Sequence, residues 1–343
     1  MTAWLRRPVV WVPITVALLG LVLWRSRPWE AGGRLGSVDG WPLVAAVALN
    51  IAVLLLWAVR SADLLAAAGR PVPVFALVPM TALANTINNL TPGSVGELLR
   101  LYLLKQRHEV DYTSGAAVIL IERIVAIAYL AASAALAWAA AQAWIPLPVA
   151  ALVLLAVAVL PAVSYAVGVR PSAVVTALPL GFAVGRGRWL RAAETLERID
   201  AVIRGLLTDP RHVIVFGGTT AFILAVYAAQ LWLVARAIGV SLEPLAAWGA
   251  LGLSITVGVI SFLPFGLGAT DVMLAALLGT LGVDAPLTAA IVFGYRLTAT
   301  VPLAVAGAAS YAYLSATLPA GSPAGAMREA SAALGLADPD GTP

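Results

Sequence analysis

The stretch Thr81–Arg100, TALANTINNLTPGSVGELLR, decides how this chain is read. It starts as an apolar, membrane-like segment in which Thr81, Asn85 and Asn88 recur at i, i+4 and i+7, one stripe of a helix. It breaks at Thr91-Pro92-Gly93 and restarts behind Ser94-Val95-Gly96-Glu97. Amides, a proline break and an acid are all costly in lipid, where each backbone group needs an internal partner. Interrupted helices at membrane depth line cavities and binding sites, so function is expected here.

The composition agrees. Hydrophobic residues make up 61% of the chain and charged residues 11%, with a mean hydropathy of +0.94. Soluble domains are about half apolar and a quarter charged, so this is an integral membrane protein. Zero cysteines exclude disulfides and thiolate metal sites, and the isolated His108 and His212 leave little for zinc. No metal or cofactor is therefore expected. The pI near 9.7 comes from loop arginines, which in so apolar a chain suit anionic lipid headgroups rather than nucleic acid.

Working outward, apolar runs at 8–24, 41–59, 115–143, 146–168, 213–235 and 286–314 read as six full spans. Arg60 ends the second. Two further apolar pairs are interrupted: 72–107 breaks at Pro92-Gly93, and 245–282 breaks at Leu263-Pro264-Phe265-Gly266. Both read as re-entrant helical hairpins. The polar stretch 170–211 carries Leu190, Ala193, Leu196, Ile199, Ile203 and Leu206 at helical spacing, an amphipathic helix expected on the cytoplasmic membrane surface. Residues 1–318 thus form one membrane domain, and the Ala/Gly/Pro-rich 319–343 is expected to be a disordered cytoplasmic tail. The placement of Lys and Arg, Arg60, Arg100, Lys105 and Arg107 among them, puts both termini in the cytoplasm.

The two hairpins match. Pro92-x3-Gly96 corresponds to Pro264-x3-Gly268, and an acid follows each glycine, Glu97 and Asp271. Arg123 lies 27 residues beyond Gly96 and Arg296 lies 28 beyond Gly268. Under the topology above the hairpins enter from opposite sides, an inverted repeat of the kind that builds transport sites at the midplane. At ~1.5 Å per residue both arginines lie roughly 13–15 Å inside a ~30 Å hydrocarbon core. A charge there costs on the order of 2.5–3.5 kcal/mol. Glu122 is poorly placed to serve Arg123, because adjacent helical residues face different directions. Each arginine needs a distant carboxylate, a cluster of carbonyls or an anionic ligand.

Two readings stand beside each other for these side chains. Arg123 and Arg296 bind a lipid phosphate through the guanidinium fork, or form buried ion pairs with Glu97 or Asp271. Glu97 and Asp271 cap the hairpin helices, Ser94-x-x-Glu97 being a capping box, or act as protonatable gates. Asn85 and Asn88 join helices or bind headgroups. Arg100 receives headgroups at the cytoplasmic mouth, or follows from the positive-inside bias. Pro92, Gly93, Gly96, Pro264, Gly266 and Gly268 make the breaks.

Pro92-Gly-Ser-Val-Gly-Glu97 with Arg100, Glu122-Arg123, Pro264-Phe-Gly-Leu-Gly268 with Asp271, and Tyr295-Arg296 resemble the motifs of a flippase-like family. The family is named for the transmembrane region of lysylphosphatidylglycerol synthase, and the resemblance covers about residues 10–315. It implies a polytopic inner-membrane protein that moves polar lipids or lipid-linked sugars between leaflets. This chain departs from the family's pattern at Ala126, where an acid is usual, and at Asp271, where the longer Glu is usual. Nothing after Leu314 suggests the synthases' aminoacyl-transferase domain. The protein is therefore expected not to be an enzyme, and any lipid-modifying enzyme would be a separately encoded partner.

The resulting expectation is a flippase or scramblase for an anionic lipid or polyprenyl-phosphate-linked species in the cell membrane. A proton-coupled transporter of a small anion and a non-transporting accessory of a lipid or glycoconjugate pathway are the alternatives.

Overall fold

The structure, a computed structural model, describes residues 38–90, 95–166, 186–261, 266 and 268–317, without the side chains of 157–166, 186–196 and 317. The expected span 8–24, the tail from 319, and the breaks at Pro92, Gly93 and Pro264 lie outside the described residues.

Those residues are helical throughout. In chain order the helices are α1 (Gly40–Ala67), α2 (Val74–Leu90), α3 (Val95–His108), α4 (Tyr112–Ala141), α5 (Leu147–Ala166) and α6 (Arg186–Thr208). They continue with α7 (Pro210–Ala237), α8 (Pro244–Ile260), α9 (Ala269–Thr280), α10 (Ala285–Tyr295) and α11 (Val301–Thr317). A π-helical turn, Arg296–Thr300, joins α10 to α11. Four stretches are long and apolar enough to cross a membrane: Gly40–Ala67, Tyr112–Ala141, Pro210–Ala237 and Ala285–Ala316.

Each of these four opens on an aspartate. Asp39, Asp111, Asp209 and Asp284 accept backbone N–H groups from Trp41, Ser114, Arg211 and Leu287, supplying acceptors that the first turn lacks. Helices α1 and α7 are followed by Gly69 and Gly239 at φ +72 and +82°, left-handed positions that glycine adopts without a Cβ penalty.

The caps and stops expose a repeat: α1–α4 in one unit, α7–α11 in the other. Corresponding helices pack reciprocally. The first hairpin arm α2 lies on α11, and the second hairpin arm α8 lies on α4. Small residues allow the approach, since a Cβ on Gly307 would come within 2.0 Å of Thr86 Oγ1 and one on Gly249 within 2.7 Å of the Trp138 nitrogen. Helix α1 packs on its own counterpart, α7. Asp39 N–H donates to Ala237 O at 3.0 Å, Gln230 Nε2 to Ala46 O at 3.0 Å, and His212 Nδ1 meets Asp63 Oδ1 at 2.7 Å. The start of each helix therefore faces the end of the other. Helices α1 and α7 thus pack antiparallel.

Two sequence boundaries change. Helix α1 does not end at Arg60 but continues one and a half turns or more to Ala67, leaving Arg60 inside and buried. Helix α6 does form, and the described part of its apolar face lies on protein. Ile199 and Val202 are buried among Leu64, Leu65 and Phe216, and a Cβ on Gly205 would meet the Ala67 carbonyl at 2.1 Å.

Candidate functional site

The start of α3 is set against α2 by backbone contact. A Cβ on Gly96 would lie 2.0 Å from Ala84 O and 2.8 Å from Asn88 Oδ1, so only glycine lets the start of α3 lie against α2. That contact carries Glu97 to α4. Arg123 donates to Glu97 Oε1 through Nη2 and, at 2.9 Å, through Nε. Asn88 Nδ2 donates to the same oxygen at 2.9 Å. The Arg123 side chain is 45% exposed whereas that of Glu97 is 10% exposed.

Glu122, one residue earlier, faces inward as helix geometry requires. Its Oε1 accepts from Arg60 Nη2 at 2.8 Å, and its Oε2 accepts from both terminal nitrogens of Arg100 at 3.1 Å. Ser61 Oγ donates to Glu122 Oε2 at 3.2 Å and accepts from Arg100 Nη2 at 2.6 Å. Arg60, Ser61, Glu97, Arg100 and Glu122 are all buried. Arg100 thus lies in the interior and not at an open cytoplasmic mouth. Its Nη1 is 3.5 Å from Glu97 Oε2, which links the two acids through one guanidinium.

The second unit repeats the central pair. Asp271 Oδ2 accepts the Gly268 N–H at 3.0 Å, while Oδ1 accepts Arg296 Nε at 2.9 Å. Capping and ion pairing thus coexist on separate oxygens of Asp271. Gly266 (φ +58°) and Gly268 (φ +84°) shape the turn, and a Cβ on Gly258 would meet Thr270 Oγ1 at 2.0 Å. Arg296 opens the π-helical turn, whose Thr298 carbonyl accepts from Asn50 Nδ2 of α1 at 2.7 Å. π turns are frequent at functional sites.

The structure therefore gathers Asn88, Glu97, Arg100, Glu122 and Arg123 in one cluster, and Asp271 with Arg296 in a second. Two tyrosines stand between them: Tyr227 is within electrostatic reach of Arg60, Arg123 and Tyr295, and Tyr295 is within reach of Arg296. Asn85 is half-buried on α2. Sequence reasoning missed Ser61, Asn50 and Tyr227, and took Arg60 for the end of a span. The signal for Arg60 was present, because Leu64-Leu65-Ala66-Ala67-Ala68 continues the apolar run beyond it.

Long apolar helices around a buried charge cluster define a multi-pass helical membrane protein with a polar interior site. The chain belongs to the lysylphosphatidylglycerol synthase TM region family, which it matches over residues 8–307. It is also 24% identical over 325 residues to a UPF0104 membrane protein of Methanothermobacter thermautotrophicus, an alignment covering 90% of this chain and 95% of that protein. No solved structure matches it.

Proposed function

We propose that the protein moves an anionic polar lipid, or a polyprenyl-phosphate-linked species, between membrane leaflets. Hairpins α2–α3 and α8–α9 act as re-entrant elements of an inverted repeat and meet near the midplane. One observation carries the reading: Arg123 is half exposed beside an apolar bundle, yet it is anchored by a buried acid at a hairpin tip. A phosphate group offers that guanidinium a bidentate partner and competes with Glu97 for it, while lipid tails stay in the bilayer. The pair Arg296–Asp271 gives the second unit a matching station.

The Lys and Arg of the bundle ends support a cytoplasmic placement of the end at which α11 closes. Arg70, Lys105, Arg107 and Arg211 gather where α1, α3 and α11 end and α7 begins, against Arg236 at the other end. The test is leaflet exchange of fluorescent phosphatidylglycerol and polyprenyl phosphate in proteoliposomes. Wild type is expected to exchange lipid, and Arg123→Ala and Arg296→Ala to lose exchange with insertion intact. Equal rates in all three would overturn the reading. Competition by soluble anions with indifference to lipid composition would point to a small-anion transporter instead.

A further inference from the structure

The first unit's cluster is one negative charge short. Arg60, Arg100 and Arg123 face only two carboxylates, Glu97 and Glu122, and the five side chains form one connected network. Asp63, one turn beyond Arg60, gives its Oδ1 to His212 and makes no ion pair with the three arginines. The second unit has no such excess. Aligned on Gly69/Gly239, Gly96/Gly268 and Arg123/Arg296, it carries Gln230, Val272 and Tyr295 at the places of Arg60, Arg100 and Glu122. The one arginine it keeps among these places, Arg296, pairs with Asp271.

The shortage leaves specific atoms without partners. Glu122 is shared between Arg60 and Arg100. Arg100 Nε and Glu97 Oε2 are both buried and without a hydrogen-bond partner among the described residues. These two orphans are on side chains whose nearest charged atoms are 3.5 Å apart. A small turn of Glu97 brings Oε2 within hydrogen-bond reach of Arg100 Nη1 and satisfies that buried acceptor, which is costly to leave unpaired. That turn frees Arg123. The cluster then resolves into Arg60 with Glu122, Arg100 with Glu97, and Arg123 with an outside anion.

We infer that the first unit binds a singly charged anion of the phosphodiester class at Arg123, and that Arg100 is the positioning residue that takes Glu97 from Arg123 as the anion arrives. One negative charge closes the network; a doubly charged phosphomonoester overshoots it in a low-dielectric interior where the surplus is poorly screened. This inference rests on the anionic-lipid reading and sharpens it by charge and by site.

The test is binding to the full chain in neutral detergent at pH 8. There a phosphomonoester, whose second pKa is about 6, carries two charges. The probes are short-chain phosphatidylglycerol, short-chain phosphatidate, and glycerophosphoglycerol, which is the same diester without chains. Wild type is expected to favour the diester lipid over phosphatidate by about tenfold. Glu97→Gln adds one net positive charge and is expected to reverse that preference, a change that loss of structure does not produce. Arg100→Gln removes the surplus and is expected to weaken the diester about tenfold, while Arg100→Lys, which keeps the charge, restores binding. Loss of binding in Arg123→Ala, with unchanged preference in Glu97→Gln and unchanged affinity in Arg100→Gln, overturns the inference and leaves the lipid reading standing. Full binding by Arg123→Ala overturns both. Equal affinity for glycerophosphoglycerol upholds the charge match but removes the lipid.

Discussion

Asp271 serves Arg296 and its own helix with different oxygens: Oδ1 accepts the guanidinium Nε at 2.9 Å, and Oδ2 accepts the Gly268 amide at 3.0 Å. A single carboxylate thus caps α9 and fastens the second hairpin tip to the interrupted helix α10–α11. Its side chain is 3% exposed, so neither contact is exchanged cheaply for water.

Removing that acid leaves a buried cation and an uncapped helix. Asp271→Ala is expected to cost about 3–5 kcal/mol. Asp271→Asn keeps an oxygen for the cap and is expected to cost less, by roughly the ~1 kcal/mol of a capping bond. Asp271→Ala with Arg296→Ala recovers part of the loss. Denaturant unfolding in micelles measures all three, and a double variant as unstable as the sum of the singles would contradict the pairing.

Gly96→Ala places a methyl 2.0 Å from the Ala84 carbonyl oxygen, which belongs to backbone and cannot turn aside. The hairpin arms must separate, at a cost of about 1–3 kcal/mol. Gly217→Ala is the control: its Cβ meets nothing within 4 Å, and in mid-helix it is expected to stabilise by roughly 0.5–1 kcal/mol. Thermal unfolding temperatures should move in opposite directions.

Asn50→Ala strips the Thr298 carbonyl of its donor inside the bundle. The loss expected is about 1–3 kcal/mol, the desolvation cost of a buried unsatisfied acceptor. Hydrogen exchange should quicken at residues 298–302 before it does in α4; uniform protection across both would argue against a local effect.

Asp111, in the turn before α4, answers to pH. Burial raises its pKa, but the bonds from Ser114 and the Arg70 charge outweigh burial and hold the carboxyl below its ordinary value. A lowered folded-state pKa gives stability that is present above the unfolded value near 4 and lost as pH falls through the folded one. Asp111→Asn should therefore flatten the acid limb of a stability–pH profile below about pH 4. An unchanged limb would exclude this carboxyl from the acid response.

Much of this was legible because charge in hydrocarbon has few uses. Arg123 and Arg296 sit too deep to be flanks, and the glycine-acid pairs at Gly96-Glu97 and Gly268-x-x-Asp271 stand at matching distances from them. Those spacings offered ion pairs with Glu97 or Asp271 as one of two readings, and the structure holds Arg123 on Glu97 and Arg296 on Asp271. What sequence could not give was partner choice within the interior. Arg60 looked like the end of a span because an arginine usually is; its burial depends on Glu122 arriving from α4, a contact 62 residues away. The amphipathic pattern of α6 marks an apolar face without saying whether lipid or Leu64 and Leu65 will cover it. The π turn at Arg296 leaves no compositional trace, since its extra residue is accommodated through Asn50 on a distant helix.

The pairing of α1 with α7 has a mechanical corollary. Because the two lie antiparallel and are tied at both ends, by the Asp39 amide on Ala237 O and by His212 on Asp63, neither helix can slide along the other without breaking contacts at both ends at once.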